Sequence, residues 1–322
     1  MKITVLGCGR WGSFITWYLS KNGHEVTEWG REDGKSYRVL KETGKNDYVT
    51  LNKNVVLTSD LKSALSGAEL VVISVLSQSL RELLSRAMNE GLKGKKVVLC
   101  MKGLEEATGK RLSEIAKECG VDGQNLAIWV GPGHIEEFLK GKPNLMVIDS
   151  ENRELTRFIA DGLRSNLIRF YYGDDLLGNE VGAAAKNVMG IAAGMLDGSG
   201  NTTLKGALMA RGAREISRLI KKMGGKELTA YGLCHLGDYE TTLFSEHSHN
   251  RTFGMAFIKK EKYLKSAEGV STAKALKILG EKYGEELPIV NAVYSIVYEN
   301  ADPKAVFDKL FARSTREEFT LY

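Results

Sequence analysis

The sequence predicts an α/β protein in two parts: a doubly wound sheet over residues 1–178, then an all-helical second domain over 179–322. Three observations carry that expectation. Gly7-Cys8-Gly9-Arg10-Trp11-Gly12 follows an apolar strand-like run and precedes a helix-like segment, giving G-x-G-x-x-G in a strand–turn–helix setting. Up to Tyr172, strand-like runs alternate with helical ones, the signature of strands joined by crossover helices. Beyond Tyr172 only helical periodicity continues.

Each element has a local reason. Ile3-Thr4-Val5-Leu6 is the first strand, and the helix runs from about Trp11 to Lys21. Gly7 can take a tight turn that a Cβ resists, Gly9 leaves room for a pyrophosphate, and Gly12 lets the helix pack close. The helix start offers unpaired N–H groups and a positive dipole end. The setting predicts a Rossmann-like dinucleotide site. Glu25–Trp29 is the second strand, whose end faces the adenosine ribose in such a fold. Glu28 would bond a ribose 2′-hydroxyl, whereas Arg31 would accept a 2′-phosphate. Arg31, followed by Lys35 and Arg38, tips the reading to NADP, with NAD as the alternative.

A polar helix and loop then occupy Glu32–Asn54. Further strands are expected at 54–57, 70–75, 96–100, 125–130, 145–148 and 166–170, with helices at 60–65, 79–88 and 153–163. The run Leu70–Val75 is apolar throughout, as in strands buried on both faces. Gly7–Gly12, Lys102-Gly103 and Gly131–Gly133 all fall after strands, at the edge where open sheets bind ligands. Helices are expected at 179–196, 204–223, 252–263, 271–283, 288–298 and 303–311.

Composition excludes several classes. At 322 residues, 43% hydrophobic and 26% charged, two folded domains are expected rather than disorder. A net charge of +5 without a Lys/Arg block does not mark a nucleic-acid binder. The four cysteines are widely spaced, which fits a reducing cytoplasm. No signal-peptide core and no run of membrane-spanning length is read in the sequence.

One helical segment, Glu180–Gly194, carries a lysine among small and apolar residues. Gly182, Lys186, Gly190 and Gly194 are spaced by four and form one stripe. Helical glycines each cost up to about 1 kcal/mol relative to alanine, so the stripe implies close approach by a backbone or a ligand. A lysine in such a groove would have a depressed pKa, suited to general acid–base work. Glu246-His247-Ser248-His249, with His235 upstream, is weak evidence for a metal, and none is assigned.

Together, the glycine loop, Lys102-Gly103-Leu104-Glu105, Gly131-Pro132-Gly133, Lys186-Asn187, Gly237-Asp238 and Asn250-Arg251-Thr252-Phe253-Gly254 resemble the NAD(P)-dependent glycerol-3-phosphate dehydrogenases over nearly the whole chain. The resemblance implies reduction of dihydroxyacetone phosphate to sn-glycerol 3-phosphate for phospholipid synthesis, in the cytoplasm, by a possible homodimer. It implies Lys186 as proton donor and acceptor, Asp238 as its orienting partner supported by Thr242, and Lys102 touching cofactor and substrate. Substrate contacts are implied at Gly131, Gly133, Asn187, Ser248, His249 and Asn250. Cofactor contacts are implied at Arg10, Trp11, Ile135, His249 and Glu268, beside the glycines and Arg31.

Three positions depart from the family pattern. Gly133 stands where Ser or Thr is usual, His249 where Arg is usual, and Ile135 where a small residue is usual. Arg251 or a protonated His249 is the expected substitute for the missing arginine. Two other functions compete: reduction of another small keto or phospho acid, and a nucleotide-binding redox sensor without turnover.

Overall fold

The computed structural model of the chain describes residues 1–314, 317 and 318. Eight strands form one sheet: β1 (Lys2–Leu6), β2 (Glu25–Trp29), β3 (Val56–Thr58), β4 (Leu70–Ile73), β5 (Lys96–Leu99), β6 (Leu126–Val130), β7 (Asn144–Asp149) and β8 (Ile168–Tyr172). Their order across the sheet is β3-β2-β1-β4-β5-β6-β7-β8. Around them lie α1 (Arg10–Lys21), α2 (Lys35–Thr43), α3 (Leu61–Leu65), α4 (Leu80–Ala87), α5 (Leu112–Glu118), α6 (Ile135–Leu139) and α7 (Arg153–Leu163). The remainder is helical: α8 (Leu176–Gly198), α9 (Lys205–Lys222), α10 (His249–Ile258), α11 (Glu268–Tyr283), α12 (Pro288–Tyr298) and α13 (Pro303–Phe311). All eight expected strands form. The single-turn helix α6 and the short α5 were not anticipated. The segment between α9 and α10 is a series of 3₁₀ and π turns, including Leu236–Asp238 and Glu240–Phe244.

The expectation of a helix over 252–263 is corrected. It starts at His249, because Ser248 caps it by accepting from the Arg251 N–H at 3.3 Å. It ends at Ile258, and Lys260 just beyond has a left-handed φ of 58°.

The sheet is parallel from β3 through β6, then reverses, with β6 and β7 antiparallel and β7 and β8 parallel. Helix length explains the reversal. A parallel crossover needs a helix long enough to carry the chain back across the sheet. Five-residue α6 spans roughly 7.5 Å and does not, whereas eleven-residue α7 does. The reversal delivers the end of β8 to the sheet edge opposite the glycine loop. There Asp149 accepts from the Asp175 N–H at 3.0 Å and from Asn179 Nδ2 at 2.7 Å, anchoring the start of α8. Helix α8 then climbs past the sheet, and ten residues on, roughly 15 Å, Lys186 arrives at the glycine-loop edge.

Apolar cores cover both sheet faces, and a third surrounds α8, built from Val188, Ile191, Leu219 and Leu276 among others. No helix among the described residues is long and apolar enough to cross a membrane.

Candidate active site between the sheet edge and helix α8

A cleft of about 700 Å³ runs from the end of β2, over the glycine loop and the ends of β4 and β5, to α8 and the start of α10. At its sheet end the three glycines do different work. Gly7 has φ +120°, and a Cβ there would lie 2.2 Å from the Ser74 carbonyl oxygen. Gly12 does not line the cleft; a Cβ on it would lie 1.8 Å from the Gly7 carbonyl oxygen, so it seats α1 beneath the loop. A Cβ on Gly9 would meet nothing within 4 Å, and Gly9 caps α1 without a side-chain hydrogen bond. The first N–H groups of α1 therefore face a free cradle that fits a pyrophosphate.

Beside it, Arg10 donates to both Glu136 carboxylate oxygens at 2.6 and 2.8 Å and lies over the Tyr48 ring. Trp11 lines the cleft and packs on Phe14. At the ribose end the structure separates the two candidates. Glu28 is buried, accepts from Ser13 Oγ at 2.9 Å and lies outside the cleft wall; burial pushes its carboxyl up to about 7. Arg31 lines the cleft, with its side chain 72% exposed, near Lys35 and Ser36 at the start of α2. Arg38 bonds the Glu32 carbonyl instead.

At the other end, the groups named from sequence converge on one carboxylate. Asp238, from the turn after α9, is 1% exposed at its side chain. Lys102 Nζ, just past β5, donates to Asp238 Oδ2 and to the Gly131 carbonyl, each at 2.6 Å. Lys186 Nζ donates to Thr242 Oγ1 at 2.8 Å and lies 3.4 Å from the same Oδ2. Thr242 in turn donates to the Asp238 carbonyl at 2.8 Å. Thr241, unremarked in the sequence, donates to Asp238 Oδ1. Each ammonium has three donors, so each keeps one for a ligand.

Burial lowers the Lys186 ammonium to about 8; Asp238 opposes that shift and Lys102 adds to it. Burial pushes Asp238 the other way, upward, but the two lysines and their hydrogen bonds bring it below the usual carboxylate range.

The glycine stripe on α8 meets backbone and side chains. A Cβ on Gly190 would lie 2.8 Å from Thr242 Cγ2, and one on Gly194 would lie 1.9 Å from the Arg251 carbonyl oxygen. Gly182 faces His235. The stripe thus presses the Asp238–Thr242 segment and α10 onto the helix that carries Lys186.

Asn187 and Asn250 form a relay. Asn187 Nδ2 donates to the Lys102 carbonyl at 3.2 Å, Asn250 Nδ2 donates to Asn187 Oδ1 at 3.0 Å, and the Gly269 N–H donates to Asn250 Oδ1 at 2.9 Å. Ile135 and Glu268 both line the cleft, and burial raises the Glu268 carboxyl. Gly131 lies outside the wall and contributes its carbonyl to Lys102. Gly133 lines the wall; a Cβ there would lie 2.5 Å from Phe138, so packing takes the room a hydroxyl side chain would need.

One expected substitute for the family arginine, Arg251, is corrected. Arg251 is outside the cleft wall and donates to Asp197 Oδ2 at 2.6 Å. His249 lines the cleft, where burial and the charges of Arg10 and Lys265 lower its pKa in the free protein. His235 is buried elsewhere, between the Gly182 carbonyl and the Tyr239 hydroxyl. Among the described residues no three His, Cys, Asp or Glu side chains gather as a metal set.

Known proteins resemble this chain over its length. Residues 2–156 match the model of the NAD-dependent glycerol-3-phosphate dehydrogenase N-terminus, and 175–308 match that of its C-terminus. A relative from Chlorobium phaeobacteroides (strain BS1), named glycerol-3-phosphate dehydrogenase (NAD(P)+), is 34% identical over 333 residues, 99% of each chain. One of the same name from Bacillus pumilus (strain SAFR-032) is 35% identical over 98% of this chain and 96% of its own. The crystal structure of glycerol-3-phosphate dehydrogenase from Coxiella burnetii aligns with a TM-score of 0.89 at 27% identity, over 97% of this chain and 99% of that one. On the sequence matches to both halves and on full-length identity, this chain belongs to the NAD-dependent glycerol-3-phosphate dehydrogenase family.

Proposed function

We propose that this protein reduces dihydroxyacetone phosphate to sn-glycerol 3-phosphate with NADPH or NADH, reversibly, and that residues 1–178 hold the cofactor while 179–322 bring the proton. The observation that carries the proposal is the single carboxylate of Asp238 held between the ammoniums of Lys102 and Lys186 at the cleft. The cradle at Gly9 and the open start of α1 fit a dinucleotide pyrophosphate, with Gly7, Arg10, Trp11, Ile135 and Glu268 around it. Arg31 at the ribose end, with Glu28 turned away, favours the 2′-phosphate of NADP.

The nicotinamide, when bound, supplies the hydride. The remaining work falls to the chain. Lys186, protonated below about pH 8, donates a proton to the carbonyl oxygen as charge develops there. Asp238 and Thr242 aim that ammonium, and Asp238 keeps it charged despite burial. Lys102 offers its third N–H to the same oxygen or its neighbouring hydroxyl. The asparagine relay ties Lys102, α8, α10 and α11 together, so the reacting groups are held at fixed separations. Helix α10 begins at the cleft with Ser248, whose hydroxyl is engaged as its cap, and with His249 and Asn250, whose first-turn N–H groups suit an anion.

The commitment of Arg251 to Asp197 favours a second reading, another small keto or phospho acid as substrate. Assays with NADPH and NADH across dihydroxyacetone phosphate, dihydroxyacetone and short keto acids decide between them. Dihydroxyacetone phosphate is expected to have the highest kcat/KM, and a clear preference for a keto acid would overturn the first reading. Free cysteines fit a cytoplasmic location, and the homodimer rests on the family resemblance.

A further inference from the structure

Three of the chain's five histidines, His134, His247 and His249, line the same cleft. His134 follows β6 and belongs to the sheet half; His247 precedes the cap of α10 and belongs to the helical half. Their rings meet across the cleft with centroids 5.7 Å apart and planes at 73°. They make no hydrogen bond to one another, and His134 Nε2 is buried without any partner among the described residues. A buried ring nitrogen left unpaired is costly, and because His134 lines the cleft, a turn of its ring toward the opening would give that nitrogen a ligand partner. The neighbouring positions show what that ligand meets: Gly133 carries no hydroxyl, and Arg251 is held by Asp197.

We propose that His134 and His247 form a phosphate clamp spanning the cleft, each donating a ring N–H to the phosphate oxygens of the substrate. The proposal rests on the phosphorylated-ketone reading above. The charged groups around His134 are Arg10 on α1, Glu136 on α6 and Lys186 on α8, with His247 opposite. Burial is the largest influence and lowers the His134 pKa, so the free imidazole is neutral at pH 7. A bound phosphate dianion raises that pKa. Substrate binding therefore takes up protons, and the clamp's contribution to affinity is greatest at the acid end and declines as pH rises. The clamp also joins the two halves through the ligand, since each contributes one ring.

Two measurements test the clamp. In the first, the ring C–H signals of the five histidines are followed by NMR in the full protein while inorganic phosphate is added. The His134 and His247 signals are expected to move and the apparent pKa of His134 to rise, while the signals of His24 and buried His235 stay put. In the second, His134→Phe and His247→Gln are each expected to raise KM for dihydroxyacetone phosphate about tenfold, the worth of one hydrogen bond to a charged group, with kcat changed less than threefold. The variant-to-wild-type KM ratio should shrink from pH 6 to pH 8.5. Unmoved His134 and His247 signals, or an unchanged KM in both variants, would overturn the clamp. Its failure separates from failure of the functional reading. A wild-type enzyme that reduces dihydroxyacetone phosphate while both variants keep its KM loses only the clamp. A wild-type protein inactive on that ketone, whose two signals still respond to phosphate, keeps the clamp and loses the substrate.

Discussion

Among the buried charges of helix α8, Glu180 and Lys186 stand six residues, roughly 9 Å, apart in opposite surroundings. Near its start, Glu180 accepts from the Ser113 N–H at 2.8 Å, Ser113 Oγ at 2.6 Å and an Arg111 guanidinium nitrogen at 2.9 Å. Arg111 also meets Glu114 at 3.3 Å, both Glu180 oxygens are occupied, and neither Glu180 nor Arg111 lines the cleft. At Lys186, two cations share one carboxylate, each keeps a spare donor, and the lysines line the cleft. Burial opposes charge at both places, raising Glu180 and lowering Lys186. A buried charge alone therefore does not mark a reactive group. What separates them is unspent hydrogen-bonding capacity facing a cavity: the first pair holds the two halves together, and the second is left with something to do.

The sharpest way to break this contrast is Lys186→Ala. Turnover is expected to fall by a thousandfold or more, about 4 kcal/mol, while NADPH still binds by fluorescence titration. Turnover within tenfold of wild type would place Lys186 on the structural side of the comparison. The same lysine sets a pH limb. Ketone reduction uses the ammonium, so its rate should fall as pH rises through about 8, and alcohol oxidation, which uses the free amine, should rise through the same value.

The converse change is Glu180→Gln. Removing the buried charge leaves Arg111 only its half-exposed partner Glu114 and should cost about 3 kcal/mol in denaturant-monitored stability, with kcat within twofold of wild type. A kcat lost without a change in stability would join Glu180 to the chemistry. The smallest effect is expected at Arg31, solvent-exposed at the cofactor end. Arg31→Ala should weaken NADPH about tenfold and NADH little, and equal losses would remove the 2′-phosphate assignment.

Local pattern made much of this legible. The glycine loop, the eight strand runs and the α8 stripe follow from backbone constraints and side-chain period, which act between residues near in sequence. The Lys-Gly-Leu-Glu and Lys-Asn elements, through their resemblance, led to Lys102 and Lys186. The reversal of β7 was not legible, because it depends on α6 being too short to return the chain. Nor was the fate of Arg251, which stands next to Asn250 in sequence but donates to Asp197, 54 residues away. The histidine pair was missed for the same reason: His134 and His247 lie 113 residues apart, and His247 was read only with its sequence neighbours Glu246, Ser248 and His249.

By itself the sequence determined which segments become strands and helices, where the backbone must turn without a Cβ, and which side chains carry protons. Only the tertiary structure decided which charge is paired, which is spare and which is turned from the ligand, as Glu28 is and Arg31 is not. The physical reason is range. Torsional preference and periodicity are settled within a turn or a strand, whereas desolvation and hydrogen-bond partnership depend on what the packed chain brings within 3 to 4 Å, roughly the reach of an ion pair.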